Sequence, residues 1–79
     1  MMLNEKHIQF VVSQAESGHV SVDGGVYVQP GAYDGAFEVD GTMYYVYLRT
    51  FSSGFVREEI RQQALSQAHE ILQDAGFRE

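Results

Sequence analysis

The sequence predicts an α+β domain: an antiparallel meander of three or four β-strands flanked by an N-terminal and a C-terminal helix, in the order αβββ(β)α, with both helices on one face. Three observations predict it. Residues 56–75 repeat apolar side chains at three- and four-residue steps, the spacing of one helix face. Residues 36–50 alternate around Asp40-Gly41, a two-residue hairpin signal. Valines at 20, 22, 26 and 28 bracket a further glycine pair. At 79 residues the chain is expected to form one domain, spanning residues 1–79. A domain of this length buries only ~60–65% of the surface its unfolded chain exposes.

The first element is "LNEKHIQFVVSQAESG". Ile8, Val11, Val12 and Ala15 follow the helical i, i+3, i+4, i+7 spacing. Asn4 is an N-cap residue type, Leu3 is placed to staple onto Ile8, and Gly18 suits a helix stop. The competing assignment is a strand over Ile8–Val12, because Ile8, Phe10 and Val12 alternate. The caps favour the helix.

Next, Asp23-Gly24-Gly25 reads as a three-residue hairpin loop that pairs Val22 with Val26 and Val20 with Val28. Pro30-Gly31 reads as a type II turn that ends the second strand. The third strand, Ala36–Asp40, joins the fourth, Thr42–Thr50, through Asp40-Gly41. Val39 then pairs with Thr42 and Phe37 with Tyr44. Phe37, Val39, Tyr44, Val46 and Leu48 form the core face, and Ala36, Glu38, Met43, Tyr45, Tyr47 and Arg49 the other.

The last element, "SGFVREEIRQQALSQAHEILQDAGFRE", is an amphipathic helix. Its stripe is Val56, Ile60, Ala64, Ala68, Ile71 and Ala75, widened by Leu65 and Leu72. Ser53 suits its N-cap, Glu58 and Glu59 its positive end, and Gly76 with Phe77 a Schellman stop.

Composition excludes several function classes. There is no cysteine, so disulfide scaffolds, thiolate metal sites and thiol nucleophiles are out. No apolar run is long enough for a membrane span. The N-terminus lacks the pattern of a signal peptide. A soluble, cytoplasmic protein with no membrane partner is expected. Eleven acidic and five basic residues give a net charge of −6, which repels phosphate backbones and disfavours direct nucleic-acid binding.

No constellation carries chemistry. His7, His19 and His69 are scattered and lack a second ligand at clear spacing, so no metal or cofactor is expected. Ser52-Ser53-Gly54 is not a nucleophile elbow, and the glycine pairs match neither the P-loop nor the dinucleotide fingerprint. The chain is not expected to be an enzyme.

The order of the later elements, with Ala64 and Ala68 at helical spacing, resembles the double-stranded RNA-binding domain. Where that family carries a lysine cluster, this chain has "REEIRQQ", and no lysine follows Lys6. The resemblance therefore implies topology without the family's RNA contact.

Ordinary strand chemistry accounts for tyrosine on an exposed face. Tyr, Met and Arg are also types enriched at protein contacts. Met43, Tyr45, Tyr47 and Arg49, with Glu38 and Tyr27 alongside, are the candidate partner-binding stripe. Asp23, Asp34, Asp40, Glu58 and Glu59 are candidate acidic contacts. The expected function is a non-enzymatic inhibitor or adaptor that covers a basic, nucleic-acid-binding surface of another protein. In size and charge the chain resembles phage-encoded inhibitors of bacterial defence complexes, including anti-CRISPR proteins. That resemblance implies a protein partner in the host cytoplasm. One alternative is a homodimer built through residues 42–50, read as a long edge strand without proline or lysine. Another is a sheet-surface binder of RNA or single-stranded DNA through Tyr45 and Tyr47.

Overall fold

The computed structural model of the protein describes residues 4–50 and 57–75. Its elements are β1 (Asn4–Gln14), β2 (Val20–Tyr27), β3 (Gly35–Val39), β4 (Thr42–Thr50) and α1 (Glu58–Ala75). The strands form one sheet in the order β2-β1-β4-β3. β1 and β4 are parallel neighbours at its centre, and each outer strand is antiparallel to its inner one. The α+β class holds. The expected antiparallel meander does not, because a parallel pair splits it into two hairpins. The N-terminal helix does not form either, and the topology expected from the RNA-binding family goes with it.

The reason lies in Phe10. A helical stripe through Ile8, Val11 and Val12 leaves Phe10 off the face. As a strand, Ile8, Phe10 and Val12 point one way and are 0%, 0% and 1% exposed. Burying each of these side chains is worth ~1.5–3 kcal/mol, against helix-propensity differences of tenths of a kcal/mol per residue. The odd-numbered residues, including Val11, face the other side. Gly18, at φ 93°, ends no helix. Gly18 N–H donates to Ala15 O at 2.9 Å and Ala15 N–H to His19 O at 2.8 Å. That is a three-residue hairpin loop with glycine in the left-handed position.

Asp23-Gly24-Gly25 is not a loop but a β-bulge inside β2. Between the pairs Val11↔Asp23 and Gln9↔Val26, β1 advances two residues and β2 three. Gly24 takes the extra residue at φ +62°, as a G1-type bulge requires. The inserted residue reverses the faces. Val20 and Val22 are in the core, while Val26 is turned away and 55% exposed. Pro30 lies in a bend beyond the strand end, and Gly31 is outside the positive-φ region that a type II turn needs.

The second hairpin forms as expected. Asp40 and Gly41 have φ 49° and 81°, both positive as a type I′ turn demands. Val39 faces Thr42 and Phe37 faces Tyr44. Residues 42–50 are not an edge strand, since β1 pairs with β4 along its whole length.

The helix covers the face formed by Ile8, Phe10, Val12, Val20, Val22, Tyr44, Val46 and Leu48. Ala64, Ala68 and Leu72 are fully buried against it. The alanines permit close approach, and so does Gly35, where an added Cβ would lie 2.8 Å from Leu65 Cδ2. Phe37 stacks on the His69 ring at 4.3 Å. Leu3, Ser53, Val56, Gly76, Phe77 and the side chain of Ala75 lie outside the described residues.

Candidate protein-binding face

The face opposite the helix carries Glu5, His7, Gln9, Val11 and Ser13 from β1, in register with Met43, Tyr45, Tyr47 and Arg49 from β4. Ala36 and Glu38 of β3 extend two of these rows. Met43, Tyr45, Tyr47, Arg49 and Glu38 thus share one face, as the alternation requires. Tyr27 does not join them. It pairs with Ile8 and so lies on the helix side, with Lys6 Nζ 5.8 Å from its ring centroid. The bulge at Gly24 causes this reversal.

The tyrosines have a structural task. The chain must travel from β2 at one edge to β3 at the other, crossing β1 and β4. Three strand spacings are ~14 Å, within the ~23 Å reach of the seven residues 28–34. This strap crosses the tyrosine face. Gly31 N–H donates to Tyr47 Oη at 3.0 Å. Tyr33 packs its ring on Tyr45 at 4.9 Å, tilted by 56°. His7 stacks on Tyr45 at 4.9 Å and 17°.

His7 Nδ1 lies 2.6 Å from Tyr47 Oη, and Gly31 O is farther off at 3.4 Å. The Tyr47 hydroxyl thus joins β1 to the crossing segment, with His7 Nδ1 on one side and the Gly31 backbone on the other. Sequence reasoning missed His7, Gly31 and Tyr33. The period-two reading of β1 would have placed His7 on this face, but nothing local announces a strap.

The acidic candidates do not converge. Asp23 is exposed at the bulge, on the Val11 row. Asp34 is half-buried and structurally engaged. Its Oδ2 accepts Leu48 N–H at 2.8 Å, its N–H donates to Val46 O at 2.8 Å, and its carbonyl accepts Arg61 Nη1 at 2.7 Å. It extends the β4 ladder just ahead of the first β3 residue, Gly35. Asp40 is exposed in the second hairpin turn.

Glu58 forms a two-pronged pair with Arg61, at 2.6 and 2.8 Å. The guanidinium hydrogen bond holds the Glu58 carboxyl below its ordinary range, and the same bond raises Arg61. Glu59 is exposed beside it. A different grouping emerges from the register. Glu5 and Glu38 flank Met43 in one row, their backbones ~10 Å apart across two strand spacings. Asp40 stands in the adjoining turn. Among the described residues, the strap is tied to Tyr45 and Tyr47, one and two rows along from this one.

The sheet edges resist pairing. Gln67 Nε2 donates to Val20 O at 2.5 Å, occupying a β2 carbonyl, and the bulge interrupts the same strand. β3 has only five residues and carries the exposed Glu38. Short, bulged and charged edges disfavour added strands. Among the described residues, no group of three or more His, Cys, Asp or Glu could hold a metal ion. No helix there is long and apolar enough to cross a membrane. The chain matches no protein-family model, no curated protein and no solved structure.

Proposed function

We propose that the chain is a non-enzymatic protein-binding module that covers a basic, nucleic-acid-binding surface of a partner protein. The observation that carries this reading is the row Glu5–Met43–Glu38, with Asp40 beside it, at the end of the tyrosine face next to the second hairpin turn. An apolar side chain flanked by carboxylates suits a surface rich in arginine and lysine. The net charge of −6 would speed approach to such a surface. The setting we propose is the cytoplasm of a host cell, with the chain acting as a phage inhibitor of the anti-CRISPR type acts on a defence complex. Tyr45 and Tyr47 contribute by shaping the face. Tyr45 is flanked by the His7 and Tyr33 rings, so a nucleic-acid base would have to displace one of them.

The test compares two charge-matched double variants in a nuclease-treated pull-down from host lysate. Glu5→Lys with Glu38→Lys removes the proposed contact, while Glu70→Lys with Asp74→Lys makes the same charge change on the helix. Loss of a basic, nucleic-acid-handling partner in the first pair alone supports the reading. Equal loss in both pairs, or none in either, overturns it.

A further inference from the structure

The strap is tied down unevenly. At one end Val28 N–H donates to His7 O at 3.0 Å. At the other, Asp34 bonds to Val46, Leu48 and Arg61. Between these pins, Gln29, Pro30, Gly31, Ala32 and Tyr33 are all exposed. Among the described residues, their hydrogen bonds and ring contacts to the sheet are made to two side chains. Tyr47 Oη accepts Gly31 N–H, and the Tyr45 ring supports Tyr33, which is itself 53% exposed. Beneath lie the half-buried rings of His7, Tyr45 and Tyr47.

We propose that residues 29–33 form a hinged lid that opens locally while the sheet stays folded, with the Tyr47 hydroxyl as its latch. Segments with few buried contacts open at free energies below that of global unfolding. Pro30 fixes one backbone angle within the lid, and the segment opens between the pins at Val28 and Asp34. The ladder beneath is secured separately, by β1–β4 pairing and by the helix on the far face. Opening lifts Tyr33 from Tyr45 and presents a cluster of three aromatic rings on the sheet, His7 beside Tyr45 and Tyr47 in the next row. The closed lid withholds that cluster. This device is a property of the chain alone and does not depend on the function proposed above.

Amide hydrogen exchange followed by NMR tests it. In the wild-type protein the Gly31 amide exchanges faster than the β1–β4 ladder amides, and its rate is insensitive to low urea. Tyr47→Phe removes the acceptor and speeds Gly31 exchange by ~5-fold, the factor that loss of a hydrogen bond worth ~1 kcal/mol produces. The ladder amides stay unchanged. A Gly31 amide that exchanges at the ladder's rate and with its urea dependence overturns the proposal. So does a Tyr47→Phe effect of equal size on both sets. Should Tyr47→Phe not fold, the wild-type urea dependence decides alone.

Discussion

Substituting alanine for glycine should have opposite effects at Gly24 and Gly31. Gly24 has φ +62°, and an added Cβ would meet nothing within 4 Å. The effect of Gly24→Ala is therefore conformational. Holding an L-residue in the left-handed region costs ~1–2 kcal/mol. The reduced freedom of the unfolded chain returns ~0.4–1 kcal/mol. The expected net loss is about 1 kcal/mol, or ~4–8 °C in Tm for a domain of this size. Gly31 is also open to an added Cβ, but its φ is not in the strained region. Gly31→Ala keeps the backbone groups that meet Tyr47 and gains only the unfolded-state term, so it stabilises by ~0.4–1 kcal/mol. D-alanine at position 24, introduced by chemical synthesis, should stabilise in the same way. Equilibrium urea unfolding followed by circular dichroism reads all three. A destabilised Gly31→Ala with a neutral Gly24→Ala would mean that the turn is at Pro30-Gly31 and the bulge does not exist.

Further outcomes follow from the same contacts. Phe10→Ala should cost ~3–5 kcal/mol in urea unfolding, while Val11→Ala, half-buried on the other face, costs under ~1.5; the reverse order would restore the N-terminal helix. Asp34→Ala strands the Leu48 N–H and should cost ~1–3 kcal/mol. Asp34→Asn keeps a side-chain oxygen and should be milder, so equal losses would refute the ladder-cap role. The Glu58 carboxyl is held below its unfolded value by Arg61, so its contribution is complete above pH ~4.3 and is lost as pH falls through the lower folded value. The Tm difference between wild type and Glu58→Gln should therefore shrink with acid. A difference that holds or widens would contradict the pairing.

What could be read from the residues depended on how local each decision was. The second hairpin was legible, register included, because Asp40-Gly41 dictates its own turn type. The helix was legible because its stripe repeats over several turns. β1 was not, since Ile8, Val11, Val12 and Ala15 satisfy a helical template as well as Ile8, Phe10 and Val12 satisfy a strand. What decides between them is a parallel partner that lies far along the chain. Asp23-Gly24-Gly25 has the chemistry of a turn, and the same left-handed glycine serves a bulge. That ambiguity carried Tyr27 to the wrong face. The sharing of a face by Met43, Tyr45, Tyr47, Arg49 and Glu38 came from period-two alternation alone and stands. The strap over two of them follows from the strand order, which no local pattern encodes.

The parallel pair at the centre of the sheet also sets a timetable. Asn4 pairs with Thr42 and Val12 with Thr50, a constant offset of 38 residues (42 − 4). At synthesis rates of ~5–20 residues per second, β1 waits ~2–8 s for its neighbour to be made. Until then it can belong only to a two-stranded hairpin, which is marginal in water. Its three largest anchors, Ile8, Phe10 and Val12, have no helix to cover them in that interval. The nascent chain is therefore most exposed to proteases and to self-association between the synthesis of β1 and that of β4. A chain cut after residue 40 would leave a bare hairpin rather than half a domain.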